Sequence, residues 1–156
     1  MRDDTDGRRG SLGRLTIFLG VLQVAVGCII GLVPPTAVPW FRGLVMAHVE
    51  FTGNGILLIA LGLLLPRMRL GRSALLLWFA SLQLGSWLNG AAGLVAGVFG
   101  RSSHLLSIAN AASPPPGGAQ DAVVTGMLMA TGVFILLALG LTLAGLARGW
   151  TPEADR

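Results

Sequence analysis

The chain has 156 residues, of which 53% are hydrophobic and only 12% are charged. Soluble globular domains carry about 25% charged residues, so this composition excludes a soluble domain and predicts an integral membrane protein. The formal charge of +4 comes with eleven basic residues, all of them arginine. In a membrane protein such a charge pattern sets orientation, and we expect no binding of nucleic acid.

Four apolar stretches are long enough to cross a hydrocarbon core, which requires about 20 helical residues. They lie at residues 15–33, 44–65, 73–99 and 122–147. Arginines precede the first stretch, as in a signal peptide, but the stretch is long and a poor cleavage site follows it, so we expect it to be retained. The sequence therefore predicts an all-α, four-helix membrane bundle that forms a single domain at residues 12–148.

The segments outside the bundle are polar, and we expect disordered tails at residues 1–11 and 149–156. Nine arginines lie on the side of both tails: four before the first span, three in the second loop and two at the end, against two on the other side. This excess of positive charge predicts cytoplasmic termini in an inner membrane. The long loop at residues 100–121 is predicted to form a lid or rim on the outer side.

Glycines recur within the predicted spans at spacings that favour close helix contacts. Gly27-x-x-x-Gly31 and Gly93-x-x-x-Gly97 have the four-residue spacing that is typical of tight crossings. The same glycines could also leave room for something flat and bulky. Because four short helices enclose little volume, we expect a homo-oligomer with a site at the boundary between protomers.

The second span carries polar side chains that are costly to bury in a membrane, which indicates a function for them. A helix advances about 100° per residue, so Glu50 and Asn54 share one face, whereas His48 lies on another face with Thr52 and Gly55. Small side chains next to His48 would allow a planar macrocycle to lie against this face. The imidazole could then reach a metal at its centre.

A structural role for these polar residues stays open. His48 could form a hydrogen bond to a neighbouring helix, and Glu50 could pair with Arg42 near the outer interface. The spans contain no second histidine and only Cys28 as a possible thiol ligand, which argues against zinc. A single imidazole suits haem iron better, because the porphyrin supplies the other four ligands.

The third span adds Gln83, Trp87 and Asn89. Gln83 and Trp87 are four residues apart and share a stripe, and Asn89 lies beside it. An aromatic ring and two amides could line a substrate pocket. Alternatively, the amides join neighbouring helices by hydrogen bonds.

The second and third spans together resemble the styrene oxide isomerases, which are small four-helix membrane enzymes. The second helix of that family is matched by Ala47-His48, Asn54-Gly55 and Leu65-Pro66, and its Trp-x-Asn motif in the third helix is matched by Trp87-Leu88-Asn89. The resemblance implies that His48 is the axial ligand of haem b between the subunits of a homotrimer. It also implies that Asn54 is a hydrogen-bonding group near the bound substrate.

By this resemblance, ferric iron acts as a Lewis acid that isomerises an epoxide, or a similar small lipophilic substrate, to a carbonyl compound. We therefore expect Asn54 and Glu50 to act in catalysis, Thr52 and Gly55 to contact the haem with His48, and a further group to line the substrate pocket. That group consists of Asn54, Trp87, Asn89 and Gly93.

Two departures from the family separate this chain from its relatives. The chain has no tyrosine, and Gly93 stands where the family has one. Glu50 stands where the family has a small residue, and its carboxylate could orient an imidazole or act as a base. We expect one of two consequences of this glycine. Either the pocket is enlarged for a bulkier ligand, or the protein lacks the isomerase chemistry.

Two other functions remain compatible with the sequence. The first is a non-enzymatic membrane protein, such as a transporter subunit or an assembly factor, in which His48, Glu50 and Asn54 form a polar relay. The second is a haem protein that binds a gas or carries electrons, although no second strong axial ligand is evident.

Overall fold

The structure is a computed structural model that describes residues 2–149, with side chains from residue 7 onward. It is all-α, and its five helices in chain order are α1 Arg2–Gly31, α2 Phe41–Leu64, α3 Arg72–Phe99, α4 Ser107–Ala112 and α5 Ala122–Gly149. Three single 3-10 turns lie between them, at Pro35–Ala37, Leu65–Arg67 and His104–Leu106. The four long helices pack in chain order, with α1 against α2, α2 against α3, and α3 against α5.

The first helix is longer than predicted. The segment at residues 2–11, for which the sequence predicted disorder, is helical from Arg2. Extending a helix that already exists costs little compared with starting a new one, and no proline interrupts this segment. The guanidinium of Arg9 also donates a hydrogen bond of 3.1 Å to the carbonyl of Leu70, which anchors the extension. The tail predicted at residues 149–156 lies, apart from Gly149, outside the described residues.

Helices α1 and α2 are held close together by residues that repeat every seven positions. Their backbones approach so closely that a Cβ atom added at Gly20 would lie 2.7 Å from the carbonyl oxygen of Gly55. The facing pairs are Gly13 with Gly62, Gly20 with Gly55, and Gly27 with His48. A seven-residue repeat keeps one stripe of each helix turned toward its partner. His48 therefore occupies the last position of this glycine seam.

The crossing of α2 and α3 is equally close. A Cβ atom at Gly93 would lie 2.7 Å from the backbone nitrogen of Ala47, and one at Gly97 would lie 2.9 Å from the backbone nitrogen of Leu44. The prediction of a tight crossing at Gly93-x-x-x-Gly97 is confirmed. Close backbone contact of this kind is the usual consequence of small residues at helix interfaces in membranes.

Helix α5 packs on the opposite side of α3. The indole nitrogen of Trp78 donates a hydrogen bond of 2.9 Å to the hydroxyl of Thr142, and both side chains are buried. Leu58, Leu65 and Leu82 complete a core around Trp78. These contacts fix α3 between α2 and α5.

The connection from α3 to α5 is folded rather than irregular. It contains α4 and is tied to the start of α2, where the indole nitrogen of Trp40 donates a hydrogen bond of 2.8 Å to the carbonyl of Ser113. Ser102 and Asp121 join its two ends through a backbone hydrogen bond of 2.8 Å. The loop therefore covers the end of the bundle at which α2 begins, two helical turns from His48.

Three segments of the described chain are long and apolar enough to cross a membrane: Gly7–Gly31, Phe41–Arg67 and Ala122–Gly149. They indicate a multi-pass membrane protein. Helix α3 has 28 residues but is less apolar. Its polar residues are Arg72, Ser73, Ser81, Gln83, Ser86 and Asn89.

Candidate functional site

His48 is half-buried at the end of the glycine seam and makes one hydrogen bond. Its Nδ1 lies 2.7 Å from the carbonyl oxygen of Gly27 on α1. A carbonyl oxygen only accepts hydrogen bonds, so Nδ1 carries the proton and Nε2 of the neutral ring keeps its lone pair. No described residue donates to Nε2. A backbone carbonyl bonded to one ring nitrogen is the arrangement that prepares the other nitrogen to bind a metal.

The glycines of α1 explain why the imidazole can lie there. A Cβ atom at Gly31 would lie 2.8 Å from Nδ1 of His48, and a Cβ atom at Gly27 would lie 3.1 Å from the His48 carbonyl oxygen. A side chain at either position would therefore push the ring or the helix away. The sequence places His48 on this face of α2, but only the packing of α1 supplies its hydrogen-bond partner.

His48 borders a cavity of about 310 Å³ between α1 and the first two turns of α2. Its walls are otherwise apolar, apart from the thiol of Cys28. The remaining lining residues are Ile30, Gly31, Leu32, Phe41, Leu44 and Val45. Within residues 7–149 no three histidine, cysteine or acidic side chains come together as a metal site. The cavity thus offers one imidazole in an apolar setting, which suits a group that brings its other metal ligands with it.

Glu50, Asn54 and Asn89 form a second polar site, which we call the carboxylate–amide cluster. The amide nitrogen of Asn89 donates a hydrogen bond to the Oε2 oxygen of Glu50 across the contact between α2 and α3. The amide nitrogen of Asn54, one turn further along α2, lies 3.4 Å from the carbonyl oxygen of Ser86. All three side chains of the cluster are half-buried. The ion pair between Glu50 and Arg42 that the sequence allowed is not formed.

The two polar sites lie on different faces of α2. His48 and Glu50 are two positions apart, which corresponds to a rotation of about 200° around the helix. His48 turns toward α1, whereas Glu50 and Asn54 turn toward α3. The predicted separation of these residues onto two faces is confirmed. One protomer therefore does not bring His48 together with Asn54.

Behind the cluster, Ser86 joins three helices at one depth. Its hydroxyl accepts a hydrogen bond of 3.1 Å from the amide of Gln23 and donates one of 3.1 Å to the carbonyl of Gln83. Its own carbonyl receives the amide of Asn54. Sequence reasoning missed Ser86, because a single serine within an apolar helix gives no signal of its partners.

Comparison with known proteins decides the family. The sequence profile of the styrene oxide isomerases matches residues 12–147. The chain belongs to the styrene oxide isomerase family. It is also 32% identical, over 136 residues, to hydroxylaminobenzene mutase HabB from Ectopseudomonas oleovorans, a match that covers 86% of this chain and 81% of that protein. No solved structure matches the chain.

Membership of the styrene oxide isomerase family implies an isomerase or mutase, because both names describe enzymes that rearrange one substrate into one product. The predicted resemblance to this family is confirmed. The match covers α2, α3 and the loop that carries α4, together with most of α1 and α5.

The structure corrects the expectation that a flat cofactor lies over Thr52 and Gly55. Helix α1 occupies that surface: a Cβ atom added at Gly55 would lie 2.6 Å from the carbonyl oxygen of Gly20, and one at Gly27 would lie 2.5 Å from the Thr52 hydroxyl. The small residues below His48 serve helix packing. His48, at the end of the seam, borders the cavity between α1 and the start of α2.

The structure brings together only part of the predicted substrate pocket of Asn54, Trp87, Asn89 and Gly93. Asn54 and Asn89 lie in the carboxylate–amide cluster, but Trp87 packs edge-on against Phe51, with ring centroids 5.7 Å apart. Gly93 is buried against the backbone of α2. The glycine at position 93 therefore does not enlarge a pocket in this chain, because the backbone of α2 fills the space.

The hydrogen bond from His48 to Gly27 can be tested directly. Gly31→Ala places a methyl group against Nδ1, so we expect the ring to rotate away and the bond to weaken. Imidazole ¹⁵N NMR of the purified protein should show a protonated Nδ1 for His48 in the wild type and an altered signal in the variant. Gly53→Ala is the matched control, because nothing lies within 4 Å of a Cβ atom there. An identical His48 signal in all three proteins would contradict this geometry.

Proposed function

We propose that the protein is a membrane-embedded isomerase that holds haem b through His48 and rearranges a small lipophilic substrate. The observation that carries this proposal is the hydrogen bond between Nδ1 of His48 and the carbonyl of Gly27. It fixes the tautomer in which Nε2 is a free ligand, beside an apolar cavity. Family membership supports the class of reaction.

The residues around the His48 cavity fit haem because they supply one axial ligand and an apolar surface. Haem brings four nitrogen ligands of its own, so a protein needs to supply only one strong axial ligand and an apolar surface. His48 offers that ligand, and the walls of its cavity offer the surface. When bound, ferric haem supplies a Lewis acid that polarises the oxygen atom of the substrate.

Asn54 is proposed to orient the substrate. Its amide nitrogen is held by the Ser86 carbonyl, which leaves the Oδ1 oxygen and the second N–H of the amide available to a ligand. Because Asn54 and His48 face different neighbours, a site that uses both would need two protomers. We therefore propose a homo-oligomer, specifically a homotrimer with the site at the subunit boundary.

The primary proposed reaction converts an epoxide to an aldehyde or ketone. One ring C–O bond breaks, a hydride or carbon group migrates to the carbon that becomes electron-deficient, and the oxygen forms a carbonyl group. Atoms and electrons balance within the substrate, so no external oxidant or reductant is required. Asn54 would hold the substrate's oxygen through its free N–H.

A second candidate is the rearrangement of an aryl hydroxylamine to an aminophenol. The relative that is named a hydroxylaminobenzene mutase favours it. The N–O bond breaks, a C–O bond forms on the ring, and the proton lost from that ring carbon ends on nitrogen. This reaction is also a net isomerisation.

The membrane setting follows from the same proposal. We propose that α3 is a fourth span, that both termini face the cytoplasm and that the protein lies in an inner membrane, as the distribution of arginines indicates. An apolar substrate partitions into the bilayer, and the exposed apolar side chains around the His48 cavity would let it enter from there. Leu32, Phe41 and Val45 are examples of such exposed side chains.

The test is expression with a haem supply, followed by purification in detergent. We expect a Soret absorption band that shifts on reduction, and conversion of styrene oxide or hydroxylaminobenzene to a single isomeric product. Haem without any conversion would support the gas-binding or electron-carrying alternative. A protein without haem and without conversion would contradict the proposal and favour a transporter subunit or assembly factor.

A further inference from the structure

We propose that Glu50, held in place by Asn89, makes the carboxylate–amide cluster a specificity site for substrates that carry N–H or O–H donors. The inference rests on the proposed isomerase function and names the substrate class within it. Hydroxylamines on an aromatic ring have such donors, whereas a simple epoxide has only an acceptor oxygen.

The first argument is the inventory of free atoms. Glu50 uses Oε2 to accept the amide of Asn89, and its other carboxylate oxygen meets no donor among the described residues. Asn54 and Asn89 each direct their amide nitrogen to an oxygen of the protein, so that each carbonyl oxygen is left without a partner. Three oxygens and the second N–H of each amide therefore remain for a ligand, so acceptors outnumber donors.

The second argument is position. Glu50 and Asn54 are one helical turn apart on the same face of α2, so their side chains are neighbours. Both are half-buried, and their free oxygens are not among the fully enclosed polar atoms of the structure. A ligand that is held by Asn54 would therefore lie next to the Glu50 carboxylate.

The third argument is energetic. A carboxylate within an apolar helix bundle is costly unless it is hydrogen-bonded, and Asn89 satisfies only one of its two oxygens. A ligand N–H or O–H that reaches the other oxygen gives that oxygen the hydrogen bond that it lacks among the described residues. An epoxide oxygen held by the free N–H of Asn54 would leave this Glu50 oxygen without a donor. The cluster should consequently favour donors over acceptors of the same size.

Binding of a matched pair of unreactive ligands tests this preference without requiring turnover. Aniline carries N–H donors, whereas anisole has a similar shape and only an acceptor oxygen. We expect calorimetry of the purified holoprotein to show aniline binding about tenfold more tightly than anisole, as one additional hydrogen bond would give. Glu50→Gln should reduce this ratio to about threefold or less, because an amide replaces the free carboxylate oxygen.

Glu50→Gln keeps the size of the side chain and an acceptor for Asn89, so the helix contact should survive. Ser81→Ala is the matched control: it removes a buried polar group of α3 whose hydroxyl bonds only to its own helix, at Leu77 and Trp78. We expect this control to keep the wild-type ratio. If Glu50→Gln fails to fold, Asn89→Leu provides a second variant, since it frees Glu50 from its partner and should also lower the ratio.

Turnover separates this inference from the proposed function. An intact preference for aniline with no conversion of either substrate would contradict the isomerase while supporting the specificity site. Conversion of styrene oxide and hydroxylaminobenzene with equal binding of the two ligands would overturn the inference and leave the isomerase standing. A preference that Glu50→Gln does not change would also overturn it.

Discussion

Replacing His48 with alanine is expected to abolish haem binding. The imidazole is the one side chain at its cavity that has a free nitrogen lone pair, and its Nδ1 bond to Gly27 prepares that lone pair for a metal. Without an axial ligand, the apolar walls would retain haem only weakly. We expect the Soret absorbance per protein chain to fall below about a tenth of the wild-type value, as the loss of at least about 1.4 kcal/mol would produce.

The chain offers a matched control, because it contains a second histidine. His104 is exposed in the loop between α3 and α5, away from the glycine seam. His104→Ala should therefore leave haem content unchanged. Unaltered haem in His48→Ala, or equal losses in both variants, would contradict the assignment of His48 as the ligand.

Introducing at position 93 the tyrosine that the resemblance implies there is expected to disrupt this protein. A Cβ atom there would lie 2.7 Å from the backbone nitrogen of Ala47 and 3.1 Å from the carbonyl oxygen of Gly43. Both neighbours are backbone atoms, so they can move only if α2 and α3 separate. Gly93→Tyr should lower the free energy of unfolding by about 3 kcal/mol or more, the upper range for overpacked cores.

Thermal unfolding in detergent, monitored by circular dichroism, measures this effect. Gly132→Tyr on α5 is the control, because nothing lies within 4 Å of a Cβ atom at that exposed position. The control should melt close to the wild type, whereas Gly93→Tyr should melt well below it. A stable Gly93→Tyr variant would contradict the close crossing of α2 and α3.

Sequence reasoning succeeded where a residue's role depends on its own helix. The rotation of about 100° per residue was enough to place His48 on one face of α2 and Glu50 with Asn54 on another. It could not assign partners, because several surfaces could have covered each face. The macrocycle expected over Thr52 and Gly55 is replaced by α1, since glycines let two backbones meet more closely than any side-chain contact would allow.

The same limit applies to Gly93. Comparison with the family suggested a missing side chain and hence an empty volume, but a glycine creates space only if the neighbouring helix stays where it was. In this structure Ala47 occupies the space. For Glu50, the sequence identified an unusual acidic residue within a span but not its partner. The structure shows that this partner is Asn89.

Hydrophobicity, helix periodicity and the Ala47-His48 and Trp87-Leu88-Asn89 motifs by themselves determined an all-α membrane protein of this family. These are local properties, because a span needs only its length and an apolar composition. The tertiary structure alone decided that the carbonyl of Gly27 holds His48, that Asn89 holds Glu50 and that the two polar sites face different neighbours. These contacts join residues 21 and 39 positions apart, and they depend on how closely helices of small residues approach one another.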